Sequence, residues 1–394
     1  MGIPAYADRM ANVSGSAVRE ILKLTQQPDM ISFGGGLPSA DSFPMEDLKD
    51  IISQITENMT ASVLQYGETE GYRPLREEIV KFMATKGVNT CVDNVLITSG
   101  SQQGLDLVAK AFISKGDKIV VESPTYLAAL QVFKMYEADF IEAPVDEDGI
   151  IPSELERILR TEQAVKLVYM IPCFQNPSGR TVSAARRKEI LAVIQKYDVV
   201  LIEDAPYEDL KYTDAQYPSM KSMDITGQVL YFGSFSKTVA PGFRVGYSIA
   251  DASILSKMII GKQSCDLHVS IFSQMVMAEY LKRGLMPDHL KQINAEYAKK
   301  RDLMLKTLAE TMPEGVTWTH PEGGLFLWLE LPGSISTNDL FLKAIAKKVA
   351  YVAGDSFYAA GQPHNAMRIN FSNATPEKIV KGVQALAEVI KENL

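Results

Sequence analysis

Gln228 to Ala250 reads QVLYFGSFSKTVAPGFRVGYSIA. Two apolar runs, Val229–Phe232 and Val245–Ile249, flank a polar stretch. The first run is nearly continuous in apolar residues, the pattern of a strand buried on both faces. Between the runs stand Ser234, Ser236 and Lys237, then a Pro241-Gly242 turn, then Arg244. A solvated surface turn would account for these residues, and a loop lysine is usually exposed. A pocket for a phosphate and a carbonyl accounts for them equally well. Two hydroxyls and a guanidinium suit a phosphate, and a lysine among apolar neighbours has its pKa pulled down, which makes its amine a nucleophile.

Working outward, the same kind of run recurs. NVLITSG, DKIVVESP, ADFIEAP, KLVYMIP and DVVLIEDAP precede QVLYFGS and RVGYSIA between about residues 92 and 250. Helical patterns separate them. In SQQGLDLVAKAFI, for example, Leu105, Val108, Ala109 and Phe112 fall at i, i+3, i+4 and i+7. This alternation predicts an α/β fold, a mostly parallel open sheet flanked by helices with right-handed crossovers. Ligands then gather at the carboxyl ends of the strands. Beyond Ala250 the pattern turns helical to about residue 312, with a long stretch from about Pro287 to Leu308. GVTWTH, GLFLWLEL, VAYVAG and AMRINFS then predict short strands, and Thr375-Pro376 opens an amphipathic helix with Ile379, Val383 and Leu386 on one face. We therefore expect three parts. Residues 1–45 form an arm, with a short helix near Ser16–Leu24, that packs with the small domain. Residues 46–285 form a large α/β domain and residues 286–394 a small C-terminal α+β domain.

Composition narrows the function. The chain has 394 residues, 46% apolar and 22% charged, which fits a globular protein of about two domains. No stretch is long and apolar enough to span a membrane. The N-terminus lacks a basic-then-apolar signal pattern, and Tyr6 stands where a myristoylation start wants Ser or Thr. Three cysteines make no disulfide framework and point to a reducing cytoplasm. A net charge of -8 argues against a nucleic-acid partner. Four scattered histidines, of which only His268 has a nearby cysteine (Cys265), leave metal chemistry without a ligand set. No phosphate-binding P-loop, dinucleotide fingerprint or hydrolase elbow is present.

If the sheet forms, polar residues just after each strand converge. Ser101 and Gln102 open a helix after the first strand, where free N–H groups make an anion site; Ser101 would equally serve as a plain cap. Tyr126 follows the second strand and could stack on a planar ring or simply be a half-buried core tyrosine. Asn176 lies in a turn, Asn176-Pro177-Ser178-Gly179, and could donate to a ligand oxygen. Asp204 ends a buried strand, where a carboxylate needs a cation or turn N–H groups as partner. Tyr207 stands three residues on. Taken together, the anion site, ring, amide, acid and lysine match the needs of pyridoxal 5'-phosphate.

The motifs carry a resemblance. SxSKxxxPGxRxG at Ser234–Gly246, NPSG at Asn176–Gly179, DxxY at Asp204–Tyr207 and YGxxxGYxxLR at Tyr66–Arg76 stand in the order seen in the fold-type I pyridoxal-phosphate aminotransferases of class I/II, which the whole chain resembles. PCFQNPSG and ISFGGGLPSADSFP are similar to the branch holding 2-aminoadipate, kynurenine, aromatic and broad-specificity aminotransferases. The resemblance implies that Lys237 bonds to the cofactor aldehyde and later moves the substrate's Cα proton. It implies that Asp204 keeps the pyridine nitrogen protonated, that Asn176 and Tyr207 hydrogen-bond the phenolic oxygen, and that Tyr126 stacks on the ring. Ser101, Gln102, Ser234, Ser236 and Arg244 would bind the phosphate. Tyr66 would reach the phosphate of a neighbouring subunit, which implies a homodimer with shared sites. Arg368 would pair with the substrate α-carboxylate, although on its own it reads as an exposed strand arginine.

For the side chain of the substrate, the matching positions are Arg19 and Gly36. A mobile Arg19 would admit acidic side chains when swung in, and aliphatic or aromatic ones when swung out. Aspartate-type relatives commonly carry tryptophan where Tyr126 stands. A C–S lyase or a decarboxylase could use the same cofactor set. A ligand-sensing regulator of MocR type would need a DNA-binding segment before this domain, for which the forty-odd residues of the arm leave no room. The expected activity is an aminotransferase passing an amino group from an L-α-amino acid, with broad or aromatic, aminoadipate or branched-chain specificity, to a 2-oxo acid, 2-oxoglutarate above all.

Overall fold

The structure, a computed structural model, describes residues 4–10, 15, 29–333, 335–361 and 364–394. Arg19 and the helix expected near Ser16–Leu24 lie outside the described residues. In chain order the strands are β1 (Ile31–Ser32), β2 (Val95–Thr98), β3 (Lys118–Glu122), β4 (Asp139–Ala143), β5 (Val145–Asp146), β6 (Gly149–Ile150), β7 (Val165–Met170), β8 (Val200–Asp204), β9 (Val229–Ser234), β10 (Gly246–Ile249), β11 (Thr317–Trp318), β12 (Phe326–Glu330), β13 (Val349–Ala350), β14 (Val352–Ala353) and β15 (Ala366–Asn370).

The seven apolar runs between residues 92 and 250 all become strands of one sheet, in the order β2-β10-β9-β8-β7-β3-β4. Strands β9, β8, β7, β3 and β4 are parallel. The sheet is buried on both faces because successive residues serve opposite cores. Ile202 and Leu230 pack with Leu105 and Val108 of the helix Ser101–Phe112. Their neighbours Leu201 and Val229 pack with Ile190 and Ile194 of the helix Ala184–Ile194. Each of these fully buried side chains contributes about 1.5–3 kcal/mol by removal from water.

Strand β10 is the exception, running antiparallel to both β9 and β2. Its first residue, Gly246, pairs with Ser234 and Thr98, the last residues of those strands. The reversal brings the residues preceding β10, Arg244 among them, to the carboxyl edge where the other strands end.

A second, antiparallel sheet has the order β11-β12-β15-β14. The run VAYVAG, expected as one strand, divides. Val352–Ala353 joins β15, whereas Val349–Ala350 pairs in parallel with β1. Tyr351 between them is fully buried and donates to the Thr337 carbonyl at 2.5 Å. Past β1, Phe33 continues the pairing: its N–H donates to Ala350 and its carbonyl accepts from Asn370. This lays Gly34–Gly36 beside the strand that carries Arg368. The C-terminal helix Pro376–Lys391 is capped by Thr375, whose hydroxyl accepts from the Lys378 N–H at 3.3 Å, and it buries Ile379, Val383 and Leu386. No helix among the described residues is long and apolar enough to cross a membrane.

Candidate active site

The carboxyl edge of the seven-stranded sheet collects side chains from five of its strands. At β2, Gly100 is the N-cap of the helix Ser101–Phe112, with φ 70° and ψ 172°. That conformation is essentially restricted to glycine. A Cβ there would lie 2.8 Å from Arg244 Nη2. Arg244 donates from Nη2 to the Ser99 carbonyl at 3.0 Å and from Nη1 to Ser236 Oγ at 3.4 Å. Ser101 is the first helical residue and not the cap, and its buried Oγ has no partner. The Ser236 hydroxyl, the Arg244 guanidinium and free helix N–H groups thus face the same corner. Gly100→Ala is expected to cost about 1–3 kcal/mol of stability, read as a lowered Tm, and to weaken phosphate-ester binding by displacing Arg244.

Asp204, at the end of β8, is 2% exposed. Its Oδ2 accepts from the Tyr169 hydroxyl at 2.9 Å, while the buried Oδ1 has no partner. It therefore does not accept turn N–H groups, the ordinary alternative. Burial raises its pKa to about 7, against the pull of the Tyr169 hydroxyl and of the nearby Ser101 hydroxyl. Such a carboxyl is stabilised by a cation set against Oδ1.

Lys237 is half-buried, and its Nζ donates to the Gly36 carbonyl at 2.7 Å. Burial, with smaller contributions from Arg368 and Arg244, lowers its pKa to about 8. Arg368, on β15, is 2% exposed, not the surface residue that its strand alone would suggest. Nη1 donates to Asn176 Oδ1 and Nη2 to the Gly34 carbonyl, each at 2.7 Å. The guanidinium carbon lies 4.3 Å from the Phe326 ring centre and 5.1 Å from that of Phe357, and Nε has no partner. Burial lowers the Arg368 pKa to about 10. Tyr207 is buried and meets Phe326 edge-on at 5.6 Å. Tyr126 precedes the helix Leu127–Lys134; burial raises its pKa, and the charges of Asp204, Arg368 and Arg244 all reach it.

The structure thus brings together Lys237, Asp204, Tyr207, Tyr126, Asn176, Arg368, Gly36, Ser101, Ser236 and Arg244. Ser234 lies beside them, its Oγ accepting from the Ser236 N–H at 3.2 Å. Gln102 stands at the same helix end with its side chain exposed. Tyr66 points away: it is 78% exposed and meets His268 edge-on at 5.8 Å. Arg76, which closes the same motif, is buried, and it donates to the Val95 and Val92 carbonyls. Four participants escaped the sequence reading: Tyr169, Phe326, Phe357 and the Gly34 carbonyl. Tyr169 lies inside the expected strand KLVYMIP, so only its hydroxyl, an uncommon group in a continuous apolar run, could have signalled it.

A buried acid with one vacant lone-pair direction, an amine of lowered pKa, and a hydroxyl, guanidinium and helix end for an anion fit a pyridine ring, an aldehyde and a phosphate in turn. Together with the sheet that positions them, they define a pyridoxal 5'-phosphate-dependent enzyme of fold type I. Residues 28–386 match the family Aminotransferase class I and II, and the chain belongs to it. It is 42% identical to an aromatic-amino-acid aminotransferase of Thermococcus litoralis, over 99% of this chain and 94% of the other. It is 36% identical to a 2-aminoadipate transaminase of Thermus thermophilus, over 98% and 96%. The crystal structure of a Pyrococcus horikoshii kynurenine aminotransferase, in complex with PMP, KYN as substrate and KYA as product, superposes with a TM-score of 0.95 at 44% identity, covering 99% of this chain and 97% of that one.

Proposed function

We propose that this aminotransferase takes the amino group from aromatic amino acids, kynurenine and 2-aminoadipate and delivers it to 2-oxoglutarate. The observation that carries the reading is the Lys237–Gly36 and Arg368–Asn176 pair of contacts, which sets a low-pKa amine and a carboxylate-binding fork around one space. The relatives named above support the substrate range. Pyridoxal 5'-phosphate supplies an aldehyde that takes up the amino group and a protonated ring that draws electrons from the Cα–H bond.

The residues divide that work. Lys237 Nζ would hold the cofactor at its aldehyde and, once freed by the substrate amine, would serve as the base and then the acid that carries the Cα proton. Asp204 Oδ1 would hold the proton on the ring nitrogen, and Asn176 and Tyr207 would hydrogen-bond the phenolic oxygen. Tyr126 would stack on the ring. Ser101, Ser234, Ser236, Arg244 and the helix end beside Gln102 hold the phosphate. Arg368 would bind the α-carboxylate as a two-pronged donor, with Gly36 bordering the side-chain pocket. Tyr66, exposed beside Leu64 at 79% and Leu267 at 47%, supports a homodimer in which it reaches the partner's phosphate. The division at residues 45 and 285 and a cytoplasmic location complete the proposal.

The test is a panel of amino donors with 2-oxoglutarate, read by chromatography as glutamate plus the matching oxo acid. Pyruvate with sulfide, or carbon dioxide, as the main product would overturn the reading. Arg368→Ala is expected to lower kcat/KM for amino acids by about 10²–10³-fold, since removing one partner of a buried ionic contact costs about 3–5 kcal/mol. Arg368→Lys is expected to recover little, because an ammonium cannot reproduce the fork toward Asn176 and Gly34.

A further inference from the structure

Phe357 is one of two rings against the Arg368 guanidinium, and it sits on a turn that the second sheet does not hold by itself. The 3-10 turn Gly354–Phe357 is fixed on its own side by Asp355, which accepts from the His364 N–H at 2.8 Å and from Asn338 Nδ2. The Gly354 N–H also donates to Thr337 Oγ1 at 3.4 Å and Tyr358 stacks on His364, and further tethers reach across to the seven-stranded sheet. The Thr125 N–H donates to the Phe357 carbonyl at 2.8 Å. Glu142, on the edge strand β4, accepts at Oε1 from two consecutive backbone N–H groups, Ala359 at 2.5 Å and Ala360 at 3.2 Å. Its Oε2 accepts from Ser123 Oγ at 3.0 Å, which orients the carboxylate. Ala359 and Ala360 have no polar side chains with which to anchor this segment.

Arg368 depends on that anchorage. Each terminal nitrogen spends one of its two hydrogens, on Asn176 and on Gly34, which leaves the second for a carboxylate, while the Phe326 and Phe357 rings pack against the guanidinium and help hold it in place. Phe357 is fully buried and is braced edge-on by Trp328 at 5.6 Å. We propose that Glu142 is a positioning residue for substrate carboxylate recognition: it ties the Phe357–Ala360 segment to the seven-stranded sheet and so keeps Phe357 on the Arg368 guanidinium. Glu142 takes no part in the chemistry itself. The proposal rests on Arg368 being the carboxylate ligand.

The test compares two donors on the holoenzyme: an aromatic amino acid and the corresponding amine without the carboxylate. The readout is the rate at which each bleaches the cofactor's visible absorbance. Glu142→Ala is expected to lower kcat/KM for the amino acid about tenfold, mainly through KM, as the loss of charge-assisted hydrogen bonds predicts. The slow rate with the amine should stay within about twofold of wild type. Glu142→Gln keeps an acceptor oxygen for both N–H groups and a donor for Ser123, so it should restore the amino-acid rate to within about threefold. Wild-type behaviour of Glu142→Ala, equal losses on both donors, or a Gln variant as impaired as the Ala variant would each overturn the proposal. Arg368→Ala on the same two donors separates the premise from the inference. If it slows both donors alike, the assignment of Arg368 fails, and the role of Glu142 fails with it. If it slows the amino acid selectively, the Glu142 result stands or falls alone.

Discussion

Lys237→Ala is expected to lower the turnover of every amino donor by at least about 10⁴-fold, because in the proposed mechanism one substitution removes both the covalent attachment point and the proton carrier. The variant should still bind pyridoxal 5'-phosphate, since the phosphate corner and Asp204 are untouched. The visible band of the lysine-bonded cofactor should be absent. Small primary amines added to the buffer should restore part of the rate, as they can carry the proton in the space left by the side chain. A wild-type rate without added amine would refute the assignment. The lowered pKa of Lys237, about 8, adds a pH signature to the wild-type protein. Its neutral amine is the form that attacks an aldehyde, so capture of the cofactor by the apoprotein should accelerate as pH rises toward about 8 and then level off. Rapid-mixing absorbance at several pH values would show this.

Asp204→Asn is the second large effect. An amide cannot hold a positive charge on the ring nitrogen, and the lost electrostatic stabilisation is worth about 10²–10³ in kcat. The same substitution should alter stability against pH in a defined direction. A carboxyl whose pKa rises on folding destabilises the apoprotein only where the unfolded chain is already ionised. With a value of about 7 in the folded chain and about 3.9 when unfolded, the cost is absent below about pH 4 and is complete above about pH 7. A cation bound at Oδ1 removes it. The Tm difference between holoenzyme and apoprotein should therefore widen between pH 4 and 7, and Asp204→Asn should remove most of that widening. An unchanged pH dependence in the variant would show that Asp204 does not meet the cofactor ring.

Much of this site was legible in the chain because its parts are local. A strand buried on both faces reads as an apolar run, and the polar residue that breaks the run marks the strand end. Ser101, Tyr126, Asn176, Asp204 and Lys237 were each found at such a break. For each, an ordinary explanation fits the local sequence equally well, and only the contacts decide. Ser101 is not the helix cap, Asp204 takes no turn N–H groups, Lys237 does not extend into solvent, and Arg368 is not an exposed strand residue. These distinctions depend on neighbours distant in the chain: Gly36 lies 201 residues from Lys237, and Asn176 lies 192 from Arg368.

The amino-acid pattern alone determined where the seven strands of the main sheet lie, which side chains are chemically able to serve a phosphorylated aldehyde, and the family likeness. Hydrophobic period and residue type are properties of short segments, so no partner is needed to read them. Tertiary structure alone decided that β10 runs against its neighbours and so delivers Arg244 to the strand ends, and that VAYVAG is shared between two sheets. It also decided that Tyr169 and the rings of Phe326 and Phe357 belong to the site. Strand direction and side-chain partnership arise from how segments hundreds of residues apart pack together, and a period of two or 3.6 carries no record of that.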